Sequence, residues 1–274
     1  MKILAIETSC DETAAAVVED LPAGRQVELK ILSNIVASST AMHEKYGGIV
    51  PEVAAREQLK CIIPVITEAL SGLDLHKDID AIAVTVGPGL IGSLLVGVET
   101  AKTLAFVTDK PIIPVNHVIA HMYANFVRDE SSVVSRQSSD LKMNRLKAED
   151  GRLIAFPAIS LVVSGGHTEL YLMKSVKELQ WLGGTLDDAA GECFDKTARL
   201  LGFGHGGGLA IEKAASKKSD GKIKLPRPMM DESFNFSFSG LKTAVMREWK
   251  KLNNPELASA FAHEIQESIT DVLV

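Results

Sequence analysis

Two apolar runs flank a polar turn in residues 3–18, which read ILAIETSCDETAAAVV. The same arrangement returns in residues 158–173, AISLVVSGGHTELYLM, where the apolar runs flank Ser164-Gly165-Gly166-His167. Short apolar runs bounded by turn residues are typical of strands. The sequence therefore predicts a strand–turn–strand unit at the head of each half of the chain, and the repetition indicates an internal duplication.

Strands and helices alternate between these two units. Pro51 suits the first turn of a helix, and apolar side chains keep a helical spacing from there to about Ser71. Residues 79–86 and 111–115 are apolar and predict strands, and residues 93–106 predict the helix between them. This alternation predicts an α/β fold.

The composition changes in residues 128–152, where serines and charged residues replace large apolar ones. We predict a first lobe over 1–127, a polar insertion or linker over 128–152, and a second lobe over 153–274. Helices are expected in the second lobe at 187–201, at 210–217, at 239–251 with Ser239 as cap, and from Pro255 onward. The last helix is still periodic at Val274, which predicts a truncated chain.

The composition also bounds the class of protein. The chain has 274 residues, 46% hydrophobic and 23% charged, enough for one large or two medium domains. Three cysteines without CxxC spacing predict no disulfide framework and a reducing cytoplasm. We expect neither a signal peptide nor a membrane span. A net charge of −6 leaves open a local basic patch, and residues 213–227 are either that patch or a solvated helix face.

His117 and His121 lie four residues apart, directly after the strand predicted at 111–115. On a helix both imidazoles share one face, so two neutral nitrogens can reach one metal ion. The alternative is an ordinary helix surface. A zinc protease signature would need a Glu directly after the first His, where this chain has Val118. A third ligand, a carboxylate or another His, must come from elsewhere in the chain.

The two polar turns are candidate ligand sites. The glycines of Ser164-Gly165-Gly166 let backbone amides approach an anion, and Ser and Thr hydroxyls add donors. A plain hairpin turn is the alternative, as a solvated loop is for Asp11 and Glu12 in the first turn. Because the units are duplicated, such turns can face each other across a cleft and grip the phosphates of a nucleotide.

Carboxylates gather in residues 187–196. Asp187 and Asp188 suit the positive end of a helix dipole, while Asp195 lies one to two turns further and could receive a ligand hydroxyl. Gly206-Gly207-Gly208 precede the next predicted helix and offer a second anion or ribose contact.

Seven motifs occur in one order along the chain: ETSCDET at 7–13, GGIVPE at 47–52, GPGL at 87–90, HVIAH at 117–121, VSGGHT at 163–168, DDAAGECFDK at 187–196 and FSFSGLK at 236–242. Together they resemble the TsaD family of tRNA N6-adenosine threonylcarbamoyltransferases, formerly named sialoglycoprotein endopeptidases. The resemblance covers nearly all of the chain outside 128–152.

The resemblance implies a fold and a reaction. The fold is two-lobed, actin-like and sugar-kinase-like, with duplicated ribonuclease-H-like lobes. The enzyme is an acyltransferase that moves threonylcarbamoyl from threonylcarbamoyl-AMP to N6 of adenosine 37, in tRNAs that read codons beginning with A. AMP is released.

The resemblance also implies the roles of the site residues. His117 and His121 bind one divalent metal per subunit, iron (Fe²⁺) in the first place or zinc, which acts as Lewis acid and template. Asp11 and Glu12 are catalytic helpers that orient or deprotonate the incoming amine. The adenylate is held by Val162, Val163, Ser164, Gly165, Gly166, Asp195 and Gly208.

The implied partners are tRNA, a paralogous non-catalytic TsaB-like subunit that dimerises through the first lobe, and a small TsaE-like ATPase. The implied location is the cytoplasm. Two departures from the family bear on the site. Its members carry a further Asp metal ligand and a nucleotide-contacting Asn beyond the point where this chain stops. Residues 204–209 replace a Tyr-Pro-Gly-Gly-Pro-like pattern, which predicts a looser loop and weaker nucleotide binding.

Two other functions compete with the transferase. The old family name suggests a metalloprotease, against which Val118 argues. An actin-like-fold kinase or ATPase, or a non-catalytic paralogue, would have no need of the His117–His121 pair, so the pair favours the transferase.

Overall fold

A computed structural model gives the architecture of the chain. It describes residues 1–23, 26–43, 46, 48–124, 156–203, 207–215, 223–229, 232–252 and 254–274. The chain forms two compact units, Met1–Leu146 and Lys147–Val274. The insertion predicted at 128–152 lies outside the described residues, so the predicted lobe boundaries stay predictions.

The first unit is built on a five-stranded sheet. Its strands are β1 (Lys2–Glu7), β2 (Glu12–Ala23), β3 (Gln26–Ser38), β4 (Ala81–Gly87) and β5 (Ile112–Asn116). Their order is β3-β2-β1-β4-β5; β1, β2 and β3 run antiparallel in turn, and β4 and β5 are parallel to β1. The first predicted hairpin is confirmed, with Ile3 paired to Val18 and Glu7 to Ala14.

Strand β3 was not predicted from the sequence, and its burial pattern explains why. Exposed and partly buried residues alternate along it from Lys30 to Ser38. Apolar residues nevertheless occur on both faces, because Leu32 and Val36 are exposed while Ser33 points inward. The strand therefore lacks the apolar/polar alternation that marks a half-buried strand in a sequence.

Helices cover this sheet: α1 (Thr40–His43), α2 (Pro51–Ala69), α3 (Ile91–Thr108) and α4 (His117–Tyr123). The core forms where the apolar side of α2, including Ile62 and Ile66, and Val96 of α3 pack with Leu4 and Ile6 of β1. The predicted helices at 51–71 and 93–106 are confirmed to within about two residues at each end.

Helix α3 differs from one expectation. By length and composition it is long and apolar enough to cross a membrane, whereas no such run was expected. Part of this apolar character is explained by the core, because Val96, Ala101 and Ala105 pack there. The remainder is exposed, with Leu95 at 51% and Phe106 at 89%.

The second unit opens with a three-stranded antiparallel sheet. Its strands are β6 (Ala158–Val163), β7 (Thr168–Ser175) and β8 (Glu178–Gly184), in that order. The described residues after this sheet form the helices α5 (Ala190–Leu200), α6 (Gly207–Ala215), α7 (Ser239–Leu252) and α8 (Ala258–Leu273), the last preceded by a 3₁₀ turn at Pro255–Leu257. Phe238, Leu241, Phe261 and Ile265 are fully buried in its core.

Both units begin with an antiparallel hairpin that continues into a third antiparallel strand. The second predicted hairpin is thereby confirmed, with Val163 paired to Thr168. The shared beginning supports the duplication inferred from the sequence, and strands with helices in both units confirm the α/β class.

The helix predicted at 187–201 begins later than expected, at Ala190. Asp187 precedes it and serves another helix: its carboxylate accepts hydrogen bonds from the backbone N–H groups of Phe238 (2.8 Å) and Ser239 (3.2 Å) at the start of α7. Ser239 was predicted to cap α7, but its hydroxyl donates to Asp187 at 2.6 Å. The cap of α7 is therefore supplied by a distant carboxylate.

Candidate functional site

The histidine pair lies where β5 gives way to α4. The side chain of Asn116, the last residue of β5, accepts a hydrogen bond from the backbone N–H of Ile119 at 3.0 Å. This cap starts α4 at His117 and places His121 one turn later on the same face, as the sequence predicted.

The two imidazoles converge through their Nε2 atoms. These atoms lie 3.2 Å apart, and the ring centroids are separated by 4.5 Å with the planes nearly perpendicular. Two nitrogens each about 2.0–2.1 Å from one tetrahedral metal would lie about 3.3 Å apart. The spacing of the Nε2 atoms therefore fits two ligands of a single cation.

The other ring nitrogen of His117 contacts a carboxylate. Its Nδ1 lies 3.3 Å from Oε2 of Glu7 and 3.1 Å from the hydroxyl of Ser9. Because a carboxylate only accepts hydrogen bonds, Nδ1 carries the proton and Nε2 keeps its lone pair. A carboxylate behind a ligating histidine is a recurrent way to fix the ring and raise its basicity.

Glu7 is itself held from several sides. The hydroxyl of Thr85 on β4 and the backbone N–H of Ser9 both donate to its carboxylate. Burial would raise the pKa of Glu7, but the hydrogen bonds from His117, Ser9 and Thr85 outweigh burial and lower that pKa to about 2. Burial and the neighbouring His117 lower the pKa of His121. At neutral pH Glu7 is thus charged, and the His121 ring is neutral and has a lone pair that can bind a metal ion.

The expected third ligand is not found among the described residues, in which no group of three His, Cys, Asp or Glu side chains could hold a metal ion. Glu7 is the carboxylate brought to the pair, but it contacts Nδ1 of His117, on the far side of the ring from Nε2. No role was predicted for Glu7 from the sequence, although its place at the carboxyl end of β1 was a usable signal.

The predicted helpers Asp11 and Glu12 lie in the same segment of chain as Ser9. Asp11 is partly buried and lines a small cavity with Ser39, Gln58 and other residues, and Glu12 is the exposed first residue of β2. Burial and the adjacent Asp11 raise the pKa of the Cys10 thiol to about 12, so this thiol stays protonated at neutral pH.

In the second unit, three of the predicted nucleotide-binding segments meet at α5. The carbonyl of Ser164 accepts a hydrogen bond from the N–H of Gly191 at 3.1 Å. A Cβ on Gly191 would lie 2.5 Å from that oxygen, and a Cβ on Gly207 would lie 2.4 Å from the Cα of Asp195. These two glycines let the Ser164 turn and the start of α6 approach α5, a role that the sequence did not reveal.

The Ser164 turn is braced from within. The hydroxyl of Ser164 accepts from the N–H groups of Gly166 (3.3 Å) and His167 (3.0 Å). Thr168 accepts from the N–H of Ala190 at 2.9 Å, so its hydroxyl also stabilises the start of α5. These hydroxyls accept hydrogen bonds that stabilise the fold. The sequence predicted them only as hydrogen-bond donors to a ligand.

The surroundings of this turn leave room for a ligand. Nothing lies within 4 Å of a Cβ built on Gly165, Gly166 or Gly208. Gly208 and the side chain of Asp195 are exposed and adjoin each other through Gly207. Val162 is partly buried and Val163 is 43% exposed at the end of β6. Residues 204–206, where the loop was predicted to be looser, lie outside the described residues.

Comparison with known proteins identifies the relatives of this chain. The profile of the family "TsaD: tRNA N6-adenosine threonylcarbamoyltransferase" matches residues 30–136 and 133–274. A protein of that name from Persephonella marina is 47% identical over the whole chain, which covers 72% of that relative's length. Another from Thermomicrobium roseum is 52% identical over 90% of the chain and 62% of its own length.

Solved structures give weaker similarities. YeaZ from Pseudomonas aeruginosa matches with a TM-score of 0.36 and 14% identity, over 66% of this chain and 65% of the other. A Ppx/GppA family member from Aquifex aeolicus matches with a TM-score of 0.38 and 10% identity, over 100% of this chain and 90% of the other.

The sequence matches define the class of protein as an acyltransferase that modifies tRNA. The chain belongs to the TsaD family of tRNA N6-adenosine threonylcarbamoyltransferases. The predicted enzyme class is thereby confirmed, and the strands and helices of both units confirm the α/β part of the predicted fold class.

Proposed function

We propose that this enzyme transfers threonylcarbamoyl from threonylcarbamoyl-AMP to N6 of adenosine 37, in tRNAs that read codons beginning with A. The bond between N6 and the carbamoyl carbon forms, the bond from that carbon to the AMP oxygen breaks, and AMP leaves with the electron pair. The observation that carries the proposal is the convergence of His117 and His121, backed by Glu7, in a chain of this family.

His117 and His121 would hold one divalent cation, Fe²⁺ in the first place or Zn²⁺, because imidazole suits both metals. When bound, the cation supplies Lewis-acid polarisation and a template for substrate oxygens. Glu7 keeps the proton on Nδ1 of His117, and the lowered pKa of His121 keeps that ring neutral. Both effects preserve the lone pairs that a cation needs.

Asp11 and Glu12 would orient the N6 amine and take up the proton that it loses. A carboxylate within hydrogen-bond reach of the amine can do both. Their place next to Ser9 supports this role, since Ser9 contacts His117. The proton then has a defined acceptor when AMP departs.

The adenylate would be held by the second unit, through Val162, Val163, Ser164, Gly165, Gly166, Asp195 and Gly208. The open space around Gly165 and Gly166 supports close approach of phosphate oxygens to the backbone. The exposed carboxylate of Asp195 suits a ribose hydroxyl, since an ionised carboxylate only accepts hydrogen bonds.

The partners would be tRNA, a paralogous TsaB-like subunit and a TsaE-like ATPase, in the cytoplasm. An exposed apolar face on the first unit supports the paired subunit: Leu59 and Ile63 of α2 and Leu95 of α3 are 64%, 57% and 51% exposed and line one groove. Exposed apolar patches of this kind mark protein-binding surfaces.

The test uses the enzyme with its proposed partner proteins, unmodified tRNA and threonylcarbamoyl-AMP. We expect threonylcarbamoyl-modified tRNA and one AMP per modification, and we expect His117→Ala to abolish both. Unmodified tRNA under these conditions would refute the proposal. Cleavage of a protein substrate that is lost in His117→Ala would instead support a metalloprotease.

A further inference from the structure

The turn between β1 and β2 is held in place by hydrogen bonds to its backbone carbonyl oxygens. All five carbonyl oxygens from Thr8 to Glu12, the first residue of β2, accept hydrogen bonds from residues outside this segment. Leu90 and Ser39 each donate to one of them, and Ser93 donates its hydroxyl to the Cys10 carbonyl at 2.9 Å. Gln58 accounts for three of the five.

The amide nitrogen of Gln58 lies 3.3 Å, 3.1 Å and 2.9 Å from the carbonyl oxygens of Thr8, Cys10 and Glu12, respectively. An amide nitrogen carries two hydrogens, so one of them is shared. Three acceptors around one amide group fix its orientation, because the flipped amide would place its oxygen against three others.

The other half of the Gln58 amide is unsatisfied. Gln58 is 1% exposed, and its Oε1 has no hydrogen-bond partner among the described residues. A buried acceptor without a partner is destabilising and calls for an explanation. The donor half supplies it, because its three contacts hold the segment of chain that carries Ser9.

We propose that Gln58 is a positioning residue for the histidine site. It acts through the turn: the turn carries Ser9, whose hydroxyl lies 3.1 Å from Nδ1 of His117, and whose backbone N–H donates to Glu7. The turn also carries Asp11 and Glu12. Gln58 thus fixes the position of Ser9, which contacts the His117 ring, and of Asp11 and Glu12. It does so without contacting the reacting atoms. The catalytic part of this inference rests on the proposed function.

The first test is Gln58→Met, which keeps the volume of the side chain and removes both donor hydrogens. In the 274-residue chain we expect the affinity for Zn²⁺ to fall about 10-fold or more, the effect typical of losing support behind a ligand. In the metal-free protein we expect the ring resonances of His117 to shift in NMR spectra. In the transfer reaction with the proposed partners we expect kcat to fall by a similar factor, while KM for tRNA changes less than about threefold.

The matched control is Thr108→Val. Thr108 is also a buried polar residue of the first unit, donating to the Leu104 carbonyl at 2.6 Å, but it lies about 22 Å along α3 from Ser93. This variant should lose stability and keep wild-type metal affinity and His117 resonances. A loss of metal affinity in Gln58→Met no larger than in Thr108→Val would overturn the proposal.

A second variant covers the case in which Gln58→Met does not fold. Ser93→Ala removes one donor to the Cys10 carbonyl and leaves Gln58 in place, so we expect a smaller shift of the same His117 resonances and a smaller loss of Zn²⁺ affinity. Wild-type values for both would contradict the proposal. If the wild-type enzyme transfers nothing to tRNA, the proposed function fails, while the Zn²⁺ and NMR measurements still test Gln58.

Discussion

At the scale of single residues, the site depends on a contact between Glu7 and His117 that no local pattern marks. Glu7 and His117 are separated by 110 positions in the chain and meet because β1, β4 and β5 are neighbours in the sheet. The sequence predicted the two histidines from their spacing, since that spacing is local. Long-range contacts of this kind follow from the fold and cannot be read from a window of sequence.

Replacing Glu7 with Gln tests the support behind His117. The variant keeps the shape of the side chain but loses the charge that holds the proton on Nδ1, so we expect Zn²⁺ or Co²⁺ affinity to fall about 10–100-fold. Competition with a chromogenic chelator measures the change. Glu19→Gln is the control, because Glu19 pairs with Lys2 on the same sheet. Equal affinities in the two variants would show that Glu7 does not support the ligand.

Two adjacent glycines provide a second test at this scale. In Gly207→Ala the new Cβ would lie 2.4 Å and 2.5 Å from backbone atoms of Asp195, so α5 and α6 must move apart. We expect a loss of about 1–3 kcal/mol in the free energy of unfolding, measured in urea. In Gly208→Ala nothing lies within 4 Å, and the helix propensity of Ala should add up to about 1 kcal/mol. Equal stability of the two variants would contradict the close packing of Gly207 against the backbone of Asp195.

At the scale of elements, the second unit ties its helices together through carboxylates. Asp187 caps α7 from outside any helix, and Asp188 lies 3.1 Å from Lys196 on α5 and 2.7 Å from Lys242 on α7. The sequence predicted both aspartates at the start of α5, because acidic residues before a helical pattern usually belong to that helix. The partners of Asp187 are about fifty residues away, and Asp188 is shared between Lys196 of α5 and the distant Lys242, which explains the error in the predicted boundary.

The cap of α7 should depend on pH. Burial would raise the pKa of Asp187, but hydrogen bonds from Ser237, Ser239 and Phe238 lower it to about 2, below the unfolded value of about 3.9. A lowered pKa stabilises the fold above the unfolded pKa, and this stability is lost as the pH falls through the folded pKa. The stabilisation is therefore present at neutral pH and disappears between about pH 4 and pH 2.

Asp187→Ala measures this contribution. We expect it to lower the free energy of unfolding by about 1 kcal/mol at pH 7, the usual value of a cap at an exposed position. The difference from wild type should shrink as the pH is lowered from about 4 to 2. Glu178→Ala, which removes a surface pair with Lys174, should cost less at pH 7. A difference for Asp187→Ala that stays constant down to pH 2 would argue against the cap.

At the scale of the whole molecule, the sequence predicted the class and much of the order of elements. Hairpins and helices with strong local patterns, such as α2 and the two polar turns, were predicted correctly. Strand β3 was missed because its pattern is mixed, and the glycine contacts of Gly191 and Gly207 were missed because they join separate elements. The parts of the site that depend on packing needed the structure.

The exposed apolar face of α2 and α3 makes a prediction at this scale. We expect Ile63→Glu to weaken binding to the proposed paralogous subunit by about 10-fold or more, because a buried charge without a partner is costly. Analytical ultracentrifugation of the mixed proteins measures the binding, and circular dichroism checks the fold. Val176→Glu, at an exposed apolar position of the second unit, is the control. Undiminished binding by Ile63→Glu would place the partner elsewhere.

The supports of the histidine site come from three adjacent strands: Glu7 ends β1, Thr85 lies in β4, and α4 follows β5. The site therefore exists only when the central sheet of the first unit is assembled. By mass action, a cation held there adds about 2.7 kcal/mol to the stability of that unit at 100 times its Kd. Calorimetry should then show one unfolding transition that moves with metal concentration, so that occupancy of the site also reports on the folding of the first unit.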